Sequence, residues 1–98
     1  MSAIEMSIFK LNGYSADDFI KANEEIEIFL KRQPGFRSRA IAEQEDGTII
    51  DLLIWDSVNA GTTSAELSMV ELKESPVHSM IDQKSLTWIV APIRHQLD

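Results

Sequence analysis

Apolar residues recur along this chain with two different periods, and the period changes where the elements change. From Ala3 to Leu11 the letters AIEMSIFKL alternate, with Ile4, Met6 and Ile8 on one side and Glu5, Ser7, Phe9 and Leu11 on the other. That two-residue period predicts a first strand, and Asn12-Gly13 ends it. Ser15-Ala16-Asp17-Asp18 then offers a hydroxyl to a free backbone N–H and carboxylates to the positive end of a helix. Phe19, Ala22, Ile26, Phe29 and Leu30 follow at three- and four-residue steps, with Lys21, Glu24, Glu25, Lys31 and Arg32 opposite. The spacing predicts a single amphipathic helix of about four turns, stopped by Pro34-Gly35.

Phe36 to Glu45 reads as a second strand, and Asp46-Gly47 supplies the positive φ of a hairpin turn. The stretch Gly47 to Ser57, GTIIDLLIWDS, is the most strand-like in the chain. Its even positions, Ile50, Leu52 and Ile54, read as plain core. Its odd positions, Ile49, Asp51, Leu53 and Trp55, mix aliphatics with a carboxylate and an indole, which suits the wall of a pocket. A two-residue turn at Asp46-Gly47 would put Ser38 and Ala40 on that face, whereas a three-residue bulged turn puts Arg39 and Glu43 there. The bulged turn is favoured, because it sets Arg39 beside the other polar groups and leaves Ala40 and Ala42 under the helices.

Ser57 caps a second helix running to about Lys73, with Val58, Ala65, Met69 and Leu72 as its apolar stripe. Ser75-Pro76 restarts the pattern as a short helical turn that points Val77, Met80 and Ile81 inward. Ser85 to Ile93 is a fourth strand, with Trp88 and Ile89 on opposite faces and Pro92 marking an edge. Strand, helix, strand, strand, helix, strand is the ferredoxin-like βαββαβ order: an α+β fold with a four-stranded antiparallel sheet and both helices on one face. The other face is then uncovered, and the expectation is that it exposes Phe9, Leu53 and Trp55. Pairing two such sheets face to face, as a homodimer, would cover that patch and enclose a cavity.

The 98 residues make one domain, which buries roughly 60–70% of the surface its unfolded chain exposes. Sixteen acidic residues against nine scattered basic ones give a net charge of −7, without the basic footprint of nucleic-acid binding. With no cysteine there is no thiolate chemistry, and no His and carboxylate set has the spacing of a metal site. His78 and His95 both read as surface residues. Apolar runs as short as Leu52 to Trp55 give no membrane segment, and a cytoplasmic protein is the expectation.

Taken together, the Pro34-Gly35-Phe36 link, the Asp46-Gly47 hairpin, the strand ending Trp55-Asp56-Ser57 with Ala60 soon after, and the Ser75-Pro76 break resemble the antibiotic-biosynthesis-monooxygenase-like proteins, the dimeric α+β barrels. The resemblance spans nearly the whole chain. It implies a homodimer with a small-molecule cavity in each subunit, in a family that includes cofactor-free oxygenases of aromatic polyketides, quinol oxygenases and haem-degrading enzymes. In the anthrone-oxidising branch an asparagine four residues before the strand-closing tryptophan holds the substrate carbonyl. Trp55 matches that tryptophan, and Asp51 stands at the asparagine's place. The haem-degrading pattern is not met, since the first strand has Glu5 and Ser7 and the second helix has no Trp.

Two functions follow as expectations. One is a cofactor-independent monooxygenase acting on a small aromatic or quinol-type substrate, with no metal. In it Asp51 or Glu5 is the base, Arg39 stabilises a developing oxyanion, and Ser7, Phe9, Leu53, Trp55 and Trp88 shape the pocket. The other is a non-catalytic homodimer that binds a small apolar or aromatic ligand. In it Trp55 is a packing residue, and Arg39 and Asp51 are a cross-strand ion pair.

Overall fold

A computed structural model describes residues 1–98. In chain order the elements are β1 (Ala3–Leu11), α1 (Ala16–Ala22), α2 (Glu24–Lys31), β2 (Phe36–Glu43), β3 (Ile49–Trp55), α3 (Val58–Glu71), α4 (Val77–Met80) and β4 (Ile81–Pro92). The four strands form one antiparallel sheet in the order β2-β3-β1-β4. This is the ferredoxin-like α+β arrangement that the element order predicts.

The hairpin takes the bulged form. Glu43 pairs with Ile49, Gln44 N–H donates to Thr48 O at 2.8 Å, and Gly47 adopts φ +88°. A glycine in that conformation closes a three-residue loop, and the resulting register sets Arg39 opposite Leu53 on the odd face.

The helices lie on the opposite side from the one expected. They cover the odd face, where Ala3, Phe9, Ile49, Leu53 and Trp55 are all buried. Phe9 meets Phe19 of α1 edge to face with 5.3 Å between ring centroids, and packs with Ile49, Val77 and Met80. Trp55 and Leu53 pack with Phe29 and Leu30 of α2. The even face is open: Ile4, Met6, Ile8, Ile50, Leu52 and Ile54 are only half-buried, while Ala40 and Ala42 are exposed rather than under the helices. A right-handed crossover decides which side of the sheet the helices take, and alternation within a strand carries no label for that side.

Three local expectations change as well. The predicted first helix is divided at Asn23, a 1% exposed residue whose side-chain amide donates to Phe19 O at 2.8 Å. On α3 the buried residues are Gly61 and Ser64, whereas Met69 is 74% exposed. The inner stripe is small because Trp55 lies under it: a Cβ on Gly61 would come within 3.0 Å of the indole. Strand β4 begins at Ile81 rather than Ser85. Gly35, at φ +84°, and Ala60 prove to be neighbours, since a Cβ on Gly35 would stand 2.8 Å from that of Ala60.

Candidate functional site

Over the odd face, α1 and α2 stand to one side and α3 to the other, and between them opens a cleft of about 210 Å³. Its floor is Glu5, Ser7 and Phe9 of β1, Asp51 and Leu53 of β3, and Arg39 of β2. All six of these sequence-predicted residues come together there. The walls include Phe19, Asn23, Ile26 and Leu30 from α1 and α2, the Asn23 turn included, and Ser64, Ala65 and Ser68 from α3. His78 of α4, although exposed, lines the same cleft and holds Leu72 O at 2.8 Å through Nε2.

Polar groups gather in two places on the floor. Toward β2, Arg39 and Asp51 make a bidentate pair: Nε donates to Oδ1 at 2.9 Å and Nη2 to Oδ2 at 2.7 Å. Nη2 also donates to Asn23 Oδ1 at 2.8 Å, which ties the break between α1 and α2 to the sheet. Both side chains are nearly sealed, 8% and 12% exposed, and a planar guanidinium fork suits a buried carboxylate in this way. Arg39 Nη1 is buried without a hydrogen-bond partner, with Glu27 Oε2 4.0 Å away.

Toward β4, Glu5 receives both of the chain's indoles. Trp55 Nε1 donates to Oε1 and Trp88 Nε1 to Oε2, each at 2.8 Å. Trp55 is fully buried and Trp88 half-exposed, and neither lines the cleft directly; they reach it through Glu5. Phe36 packs edge to face on Trp55 with 5.5 Å between centroids. None of the molecule's ion pairs involves Glu5. The floor thus holds one carboxylate neutralised by a cation and one held only by uncharged donors.

Asn23, Ser64 and Ser68 are cleft residues that the pattern reading did not single out, and His78, read there as a surface residue, is exposed but also lines the cleft. Asn23 did carry a signal: with Phe19, Ile26 and Leu30 it follows the four-three-four spacing of the apolar stripe. No group of three or more His, Cys, Asp or Glu side chains is placed to hold a metal ion. No helix is long and apolar enough to cross a membrane.

No protein-family model matches the sequence, and no curated protein matches it either. Solved structures do. SnoaB, a cofactor-independent oxygenase from Streptomyces nogalater, superposes with a TM-score of 0.78 at 14% identity, over 98% of this chain and 96% of that one. The monooxygenase ActVA-Orf6 of Streptomyces coelicolor, in complex with nanaomycin D, gives 0.75 at 18% identity over 98% and 90%. Rv0793 from Mycobacterium tuberculosis gives 0.75 at 11% identity over the full length of both chains. The chain therefore has the ferredoxin-like α+β fold of the antibiotic-biosynthesis-monooxygenase-like proteins.

Proposed function

We propose that the protein is a cofactor-independent monooxygenase whose substrate is a small hydroxylated aromatic or quinol, and that it works as a homodimer. The observation that carries the reading is the pair of carboxylates on the floor of one largely apolar cleft, of which only Glu5 lacks a cation. The oxygenase folds of SnoaB and ActVA-Orf6 support the reaction class. Size narrows the substrate. An engineered cavity of about 150 Å³ holds benzene, so about 210 Å³ suits one or two fused rings better than three or four.

In this reading Glu5 is the base that takes the proton from a substrate hydroxyl, since its oxygens meet only uncharged indole donors whereas Asp51 is neutralised by Arg39. The electron-rich anion then reacts with dioxygen. One oxygen atom enters the ring carbon that loses its hydrogen, the other leaves as water, and the quinol becomes a hydroxyquinone, so every electron comes from the substrate. Arg39, whose side chain lies in the cleft floor, supplies a fixed positive charge beside the charge that develops on oxygen. Asp51 and Asn23 hold the guanidinium in place. Ser7, Phe9 and Leu53 set the plane of the ring.

A second copy of the chain covers the open sheet face, where Ile4, Met6, Ile8, Ile50, Leu52 and Ile54 form a contiguous, partly exposed apolar surface. The cleft lies on the other side of the sheet, so each chain carries a complete one. The test is turnover of a two-ring quinol under ¹⁸O₂. One labelled atom in the product and one in water is the expected result. An unlabelled quinone with hydrogen peroxide would overturn the oxygenase and leave a ligand-binding homodimer. Native mass spectrometry is expected to show twice the 11.1 kDa chain.

A further inference from the structure

The two tryptophans reach Glu5 from opposite neighbours and opposite directions. Trp55 closes β3 opposite Ala3, and Trp88 stands on β4 opposite Ser7. Ala3 and Ser7 flank Glu5 two residues away on the same face of β1, so the indoles lean inward along the strand from either end. An indole N–H is an uncharged donor with no acceptor. The two together fix the plane of the Glu5 carboxylate without neutralising it, and they use one acceptor direction on each oxygen. Each carboxylate oxygen has a further direction, and Glu5 lines the cleft. Where a ligand displaces water from a largely apolar cleft, those remaining directions of a negative group are costly until a donor meets them. An ether cannot supply that donor, and a carboxylate ligand adds repulsion.

We propose that the Trp55–Glu5–Trp88 clasp is the specificity element of the cleft, an oriented acceptor that selects aromatic ligands presenting a hydroxyl over the matching ethers and carboxylic acids. This rests on the reading of the cleft as a site for a small aromatic molecule. Trp88 acts through Glu5 and is a positioning residue. Being half-exposed on an edge strand, it also makes the clasp editable without opening the core.

The experiment is anaerobic equilibrium binding of 1-naphthol, 1-methoxynaphthalene and 1-naphthoate, followed by calorimetry and by tryptophan emission. Emission reports directly on the site because both of the chain's tryptophans bond Glu5. The parent protein should bind the naphthol at least about tenfold tighter than the ether, because the ether leaves a desolvated acceptor unpaired, and should bind the naphthoate weakest. In Glu5→Gln one amide oxygen must serve two indole donors, and the hydroxyl preference should fall to within about threefold. In Trp88→Phe the carboxylate remains but loses half its clasp. There the preference should fall about threefold with the ether's affinity unchanged, which a merely structural loss would not produce. If Glu5→Gln fails to fold, Trp88→Phe decides alone. Equal binding of naphthol and ether by the parent, or an unchanged preference in the folded variants, overturns the clasp. Preference without ¹⁸O incorporation keeps the clasp and removes the oxygenase, whereas incorporation without preference does the reverse. Binding of none of the three overturns both.

Discussion

Beneath the helices the sheet carries Glu5, Ser7, Arg39 and Asp51 among its aromatics, and Phe9, Ile49, Asp51, Leu53 and Trp55 there are buried. Its other side is almost purely aliphatic, and Ile4, Met6, Ile8, Ile50, Leu52 and Ile54 are all only half-buried. The mixed face is the core and the apolar face is the surface. Polar groups kept in an interior need partners, and here they are arranged around a cleft that a ligand can enter. An extended apolar sheet face at a surface suits another sheet. In the proposed function one face takes a small molecule and the other a second copy of the chain.

The largest effect expected comes from breaking the ion pair on the covered face. Asp51→Ala leaves Arg39 buried without its counter-charge, at a cost of about 3–5 kcal/mol in urea denaturation. Replacing both partners, Arg39→Met with Asp51→Leu, should return stability to within about 1 kcal/mol of the parent while oxygen incorporation stays lost. Full activity in that stable double variant would make the pair purely architectural.

On the open face, Leu52→Lys places a charge between Met6 and Ala40 at the middle of the sheet. The Kd of the proposed homodimer should rise at least about 100-fold, read by sedimentation, while naphthol binding changes less than about twofold. Binding that disappears with the dimer would show that the two faces are not independent. Gly61→Ala presses a methyl against the Trp55 ring, with a cost of about 1–3 kcal/mol and a shift in tryptophan emission. It leaves the open face untouched, so an altered dimer Kd there would again couple the faces.

The smallest effect lies outside both faces, in the hairpin loop. The Thr48 backbone N–H, which donates to Asp46, holds that carboxyl below its ordinary value of 3.8. A carboxylate depressed on folding stabilises the fold fully above its unfolded value, and that contribution is lost as pH falls through the folded one. Asp46→Asn should therefore remove that small contribution at neutral pH and flatten the acid limb of a stability-against-pH curve, so that variant and parent converge well below about pH 4.

Much of the site was legible because alternation is strict. Glu5, Ser7 and Phe9 share one parity on β1, Asp51, Leu53 and Trp55 on β3, and the glycine of the Asp46-Gly47 turn aligned Arg39 with them. The stripe of α3 was misread because hydrophobicity was followed where size mattered: Met69 is exposed, while Gly61 and Ser64 approach Trp55 and the cleft. Asn23 escaped notice because a polar residue within an apolar stripe reads as an interruption, although here it is the anchor for Arg39.

By itself the sequence determined the element order and the sets of residues that share a face within each strand, since each depends on neighbours within a few positions, and it favoured the bulged hairpin register over the alternative. Tertiary structure alone decided which set the helices cover, because crossover handedness is a property of the assembled sheet and is invisible to a period of two. It alone also joined Glu5 to Trp55 and to Trp88, partners 50 and 83 residues away. A hydrogen bond over that span has no local signature, since only strand order and register bring its ends within reach.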